Sequence, residues 1–283
     1  MEEKINTKLF GYKGFSKNLT CQGFQYKEGE TYEHEGKIQL CFTGFHFCTE
    51  PADTLYYYPL ERSKYGTVMV EEISNETSEM NSKRVAKKIK IIKIHDNLEW
   101  AKLLLNYYRT CPPNPRLITI DKKDFEKPDK IIVDVDRKVV IMKKDYYNKI
   151  TIKGEDNVII IPDDIYINKL VVIGKTNSVI NLKENITIRV IDIGNNILNI
   201  ASKVKLKIDG DYNTIINNNE GGSVKSIIVG NENKYKGKNG DKISFIRILN
   251  EKSSKPEFKN TKITIGKKFL PNIYHKTEEI VKL

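Results

Sequence analysis

The thiol and imidazole groups of this 283-residue chain, its nucleophile, base and zinc-ligand types of first interest, are four cysteines and four histidines. Three of them crowd into Cys41-x4-His46-x-Cys48, within the stretch CFTGFHFCTEP (41–51), and Cys21 lies upstream. The donor types suit zinc, but structural zinc sites usually present a Cys-x2-4-Cys knuckle, and this chain has none. On an extended strand His46 and Cys48 share one face while Phe45 and Phe47 share the other. A catalytic cysteine needs a nearby base. The other histidines, His34, His95 and His275, show no spacing that supplies one. The expectation is therefore of thiols buried like small hydrophobes, with no metal and no cofactor. His46 is kept as a candidate binding residue. So is the run Tyr56, Tyr57 and Tyr58, because three successive residues on one helical turn cannot all face a core. Asp192 and Asp209 fall on neighbouring strands of a repeat and could pair as acids, but Asp209 precedes Gly210, where Asp is a turn former. The chain contains no P-loop, no Gly-x-Gly-x-x-Gly and no HExxH motif.

The elements that must position these residues have two textures. Residues 1–115 read as an α+β domain. LFGYKGF, GFQYKEGETYE with a turn at Glu28-Gly29, KIQLCF, YGTVMVEEI and VAKKIKIIKIH read as strands. A short helix follows GFHF, with Thr49 as its N-cap and Pro59 as its stop. A second helix, NLEWAKLLLNYYRT, opens on Asp96 with Glu99 at the capping-box position. CPPNPR (111–116) ends it.

The second texture, residues 116–270, is a repeat built on Gly-x-x-Asn. Its members are Gly154 and Asn157, Gly174 and Asn177, Gly194 with Asn195 or Asn196, Gly210 and Asn213, and Gly230 and Asn233. We align Gly194 with Asn196 and take the glycines as equivalent corners. Each unit is too small to bury its own Ile/Val face, so stacking into an all-β solenoid resembling a parallel β-helix is expected. An antiparallel meander is the alternative. Residues 271–283 are expected to cap the open end or form a tail.

The charge is uneven. Residues 1–115 carry 16 Lys+Arg against 15 Asp+Glu, whereas the remainder carries 32 against 22. A positive field favours anionic partners, but cations dispersed among anions are weaker evidence than one dense stripe. No apolar run approaches the ~20 residues that span a bilayer, and MEEKINTKLFGY has no apolar signal region. Four cysteines fit a reducing compartment better than a disulfide scaffold. A cytoplasmic location in a bacterial host and no membrane partner are expected.

GYKGFSKNLTCQGFQYKEGETYE and LCFTGFHFCTEPADTLYYYP together resemble an uncharacterised domain found in phages and prophages, over about residues 10–95. The resemblance implies a mobile-element origin and carries no catalytic residues. GFHFCTEPADTLYYY…YGTVMVEEI also resembles the centre of ADP-ribosyltransferase folds, which implies a place for Lys13, in YKG, in holding NAD. No late catalytic Glu aligns with those enzymes. The function expected is that of a phage- or prophage-encoded binding protein, such as an anti-CRISPR-like inhibitor of a host defence system. Its partners would be a host protein or ribonucleoprotein complex, or nucleic acid, and a homo-oligomer is compatible with this. The alternatives are an NAD-using enzyme acting on a host protein and a nucleic-acid-binding protein.

Overall fold

A computed structural model describes residues 8–79, 81–219, 224–237 and 241–246 with their side chains, and backbone strands at 247–248, 258–264, 272–275 and 280–282. The chain divides into two compact units, Met1–Tyr107 and Tyr108–Leu283. That division falls a few residues before the proline-rich segment chosen from sequence.

The first unit is a β-rich, barrel-like sheet. Its strands are β1 (Leu9–Ser16), β2 (Thr20–Cys21), β3 (Phe24–Gln25), β4 (Thr31–Glu33), β5 (Phe45–Cys48), β6 (Ser63–Ile73) and β7 (Lys83–His95). The order is β4-β7-β5-β1-β6, and a further β6–β7 pairing closes the ring. Closure depends on the length of β7. Lys83–Ala86 pairs with β5, and the run from Ala86 to His95 pairs with β6, so Ala86 faces both Phe45 and Ile73. Phe15, Tyr26, Phe45, Phe47, Val68, Val70, Ile89 and Ile91 fill the interior.

Helix is scarcer here than the α+β expectation implied. The short helix α1 (Thr54–Tyr57) follows a 3-10 turn at Pro51–Asp53. Thr49 does not cap it. The N-cap position of the turn is Glu50, with no side-chain cap bond. The Asp53 carboxylate instead accepts the Ser82 N–H at 2.6 Å, tying this turn to the segment before β7. The long helix α2 (Asn97–Thr110) does open as expected. The Asp96 carboxylate accepts the Glu99 N–H at 2.8 Å, and Glu99 accepts the Asp96 N–H at 3.2 Å.

The second unit is a solenoid-like stack of parallel strands. In chain order these are β8 (Leu117–Ile120), β9 (Lys130–Asp134), β10 (Val139–Met142), β11 (Tyr146–Lys153), β12 (Val158–Ile161), β13 (Tyr166–Ile173) and β14 (Ser178–Asn181). They continue as β15 (Thr187–Ile191), β16 (Asn196–Asn199), β17 (Lys205–Asp209), β18 (Thr214–Asn217), β19 (Lys225–Val229), β20 (Lys234–Lys236) and β21 (Lys242–Ile248). Even-numbered strands form one sheet and odd-numbered strands the other. Each coil thus gives one strand to each sheet, and the inward residues Ile150, Ile152, Leu170, Val172, Ile188, Val190, Leu206 and Ile208 meet their counterparts between the sheets. Three later strands, β22 (Phe258–Thr264), β23 (Asn272–His275) and β24 (Ile280–Lys282), join antiparallel at the end of the stack. They cover what would otherwise be open parallel edges.

The repeat corrects the sequence alignment at one coil. The buried asparagine ladder runs Asn157, Asn177, Asn195, Asn213 and Asn233. Asn157 donates to Asn177 at 3.1 Å, Asn177 to Asn195 at 3.2 Å, and Asn195 to Asn213 at 3.1 Å, while Asn233 accepts the Asn213 N–H at 2.9 Å. Asn196, expected in this ladder, is instead the first residue of β16, half-buried, opposite Ser178 and Thr214. Gly194 is displaced likewise. The corner position of Gly154, Gly174, Gly210 and Gly230 is filled in that coil by Asp192, at φ +95°. Its backbone makes the same inter-coil bond, from Asp192 N–H to Asp209 O at 2.9 Å. The corner-to-corner spacings are therefore 20, 18, 18 and 20 residues. Two coils are shorter, and matching glycines alone conceals this. A second ladder, unseen in sequence, runs Asn181, Asn199, Asn217 and Asp241 with bonds of 2.6–2.7 Å.

Candidate functional site

Two features could hold a partner, one in each unit. The first is a cavity of about 210 Å³ in the barrel. The strand β1 supplies Tyr12, Lys13 and Gly14. The strand β5 supplies His46, Phe47 and Cys48, and Lys83 comes from the start of β7. Cys21 ends β2, Tyr57 ends α1 with Tyr58 just after it, and Cys41 lies in the connection before β5. Four of the five binding candidates, Lys13, His46, Tyr57 and Tyr58, thus line one pocket. Tyr56 is exposed and is not part of this wall.

The Lys13 Nζ is buried and donates to the His46 carbonyl at 2.7 Å, with the Cys21 Sγ at 3.6 Å. Desolvation pulls its pKa below the ordinary lysine value, and Lys83 adds to this while Cys21 and Cys48 oppose it. The Tyr58 hydroxyl donates to the Cys21 Sγ at 2.7 Å. Burial raises the Tyr58 pKa, so the phenol keeps its proton. Gly14 is required beside it, because a Cβ there would run into the Tyr58 ring. His46 accepts the Cys41 N–H on Nε2 at 2.8 Å. Burial, then Lys83 and Lys13, depress its pKa to about 4, so it is neutral at pH 7. The lone pair a zinc ion would need is thereby engaged, and no group of three or more His, Cys, Asp or Glu side chains could hold a metal among the described residues.

The thiols are less uniformly buried than expected. Cys48 is buried, but Cys21 and Cys111 are half-buried and Cys41 is exposed, with the Lys83 Nζ 3.1 Å from its sulfur. Asp192 and Asp209 do not pair through their side chains. Asp209 accepts from Arg189 at 2.9 Å, and the Asp192 carboxylate accepts the Ile193 N–H.

The second feature lies on the outer face of the odd-numbered sheet. Parallel register places Lys130, Lys149, Lys169, Thr187, Lys205, Lys225 and Lys242 in one column, one residue per coil. Lys130, Lys205, Lys225 and Lys242 are exposed, and Lys149 and Lys169 are half-buried. Among the described residues none of the six lysines forms an ion pair. At ~4.8 Å per strand the column is about 29 Å long. Like charges directly opposite on neighbouring strands destabilise a sheet, so the arrangement is costly unless something anionic lies along it. Beside the column, Tyr146 and Tyr166 are in register on adjacent coils and are 51% and 65% exposed. Lys122 lies 5.8 Å over the first ring and Lys183 lies 5.3 Å over the second.

A family model described as a domain of unknown function (DUF7666) matches residues 9–106, the stretch that holds β1–β7 and most of α2. No curated protein and no solved structure matches the chain. No helix among the described residues is long and apolar enough to cross a membrane.

Proposed function

We propose that this protein acts by binding single-stranded nucleic acid along the solenoid, and that a phage or prophage uses it in this way to obstruct a nuclease-based host defence complex. The lysine column carries the binding half of the reading. Sequence showed a dispersed basic excess, whereas the fold gathers six lysines into one line with no intervening carboxylate. A line of amines follows a phosphate backbone, and exposed tyrosines beside it offer faces on which bases stack, the combination typical of single-strand binders. The anti-defence half rests on the likeness of the first unit to a mobile-element domain.

The NAD-using reading has less support. The Lys13 pocket is smaller than the ~300–1,000 Å³ usual for drug-sized ligands, and no Asp or Glu lines it. Fluorescence anisotropy of labelled single-stranded DNA and RNA, with duplexes of matched length, tests the proposal. Binding of single strands that is lost in Lys205→Glu/Lys225→Glu supports it. No binding at low salt, or binding untouched by that reversal, refutes it.

A further inference from the structure

We propose that the barrel pocket is a covalent binding site for a small 2-oxo acid, held as an imine on the Lys13 amine. The site lies in the first unit and does not depend on the solenoid reading. Lysine is rarely buried without a carboxylate partner, yet the Lys13 side chain is 3% exposed on a pocket wall that contains no carboxylate. Once it has given up its proton, the amine has two N–H groups and one lone pair. The His46 carbonyl and the Cys21 sulfur take the two N–H groups, which leaves the lone pair for an electrophilic carbon.

Desolvation and a second cation nearby are the two devices that make a lysine easier to deprotonate and so more nucleophilic. Both act on Lys13, and they outweigh the Cys21 and Cys48 thiols, which favour the charged form. The rings of Tyr26 at 5.1 Å and Phe15 at 5.9 Å also favour the cation. Lys83 supplies positive charge on the same wall for the carboxylate of the ligand. The cavity of about 210 Å³ admits a molecule of a few carbons.

The step balances without an oxidant. The Nζ lone pair attacks the keto carbon and the C=O π bond opens. One amine proton moves to the oxygen, giving a carbinolamine. The C–O bond then breaks, the oxygen leaves as water with a second proton from nitrogen, and C=N forms. Tyr58, whose hydroxyl stays protonated, is on the wall to relay that proton.

The test is incubation of the full chain with glyoxylate and cyanoborohydride at neutral pH, followed by peptide mapping by mass spectrometry. Lys13 is expected to be the principal modified lysine. The label is expected to fall in Lys83→Met and when acetaldehyde, which lacks the carboxylate, replaces glyoxylate, and to be lost in Lys13→Met. If Lys13→Met does not fold, the map of the unaltered protein still decides the matter. Adducts on surface lysines with Lys13 unmodified overturn the proposal. Equal labelling of Lys13 by acetaldehyde overturns the assignment of a 2-oxo acid.

Discussion

Removing charge from the lysine column should change the salt dependence of binding by a calculable amount. For single strands, log K falls with log salt at a slope of about −0.7 per phosphate neutralised. If all six lysines engage phosphates, the slope is about −4, and raising salt from 50 to 200 mM weakens binding roughly 300-fold. The double change Lys205→Ala/Lys225→Ala removes two adjacent amines from the exposed end of the column, so the slope should fall to about −3. Both side chains are exposed and form no ion pair among the described residues, so the fold should be kept, with the melting temperature level or slightly raised by relief of their repulsion. The control is Lys102→Ala/Lys175→Ala, which removes two exposed charges away from the column, on α2 and at a solenoid corner. The assay is anisotropy of a labelled oligonucleotide at four or five salt concentrations, with circular dichroism to confirm folding. An unchanged slope in the column variant, or an equal drop in the control, would mean that net charge rather than the column drives binding, and the argument would fail.

Other consequences are open to measurement. Asn195→Ala should destabilise the chain by ~2–4 kcal/mol in urea denaturation, because it leaves buried donors of Asn177 unpaired, whereas Asn196→Ala should cost ~1 kcal/mol or less at its half-buried site. Gly174→Ala forces a Cβ into the Gly154 carbonyl. It should cost more than Gly194→Ala, where the nearest atom is 3.6 Å away and the expense is the ~1–2 kcal/mol of a left-handed residue. His46 titrates near 4 when folded and near 6.5 when unfolded. The unfolded chain therefore binds the extra proton first, and stability should fall as pH drops from about 6.5 towards 4. His46→Gln should flatten that part of the pH–stability curve, and an equally steep fall in the variant would exclude His46 as the source. Tyr146→Ala/Tyr166→Ala should weaken single-strand binding by ~1–3 kcal/mol per stacked base while leaving the salt slope intact.

The solenoid was legible because its signal is local. Glycine corners, asparagines three residues on and alternating Ile/Val recur within short windows. The lysine column was hidden because Lys149 and Lys169 are 20 residues apart whereas Lys169 and Thr187 are 18 apart. No fixed period superimposes them, and only strand register does. The Asn195/Asn196 ambiguity has the same origin. The barrel was harder to read. Closure depends on β7 pairing along both edges, with β4 and β5 on one and β6 on the other, and nothing in KRVAKKIKIIKIH announces three partners. The Lys13, His46 and Tyr57–Tyr58 candidates were found one at a time, by odd chemistry or resemblance, and their convergence on a single cavity follows from β1 and β5 being neighbours. Lys83, the second amine there, drew no notice in the sequence, because it falls just before the VAKKIKIIKIH stretch read as a strand.

The unequal coils have an architectural meaning. From each corner to its asparagine the count is always three residues, from Gly154, Gly174, Asp192, Gly210 and Gly230 alike. In the coils of β11 and β13 the added length lies on the other side of the loop, where those strands run to eight residues against five in β15, β17 and β19. Those additional residues are the ones that bring Tyr146 and Tyr166 to the surface. One bend of the rod behaves as a fixed spine and the opposite bend as an editable margin, where insertions can add recognition groups without disturbing the stack.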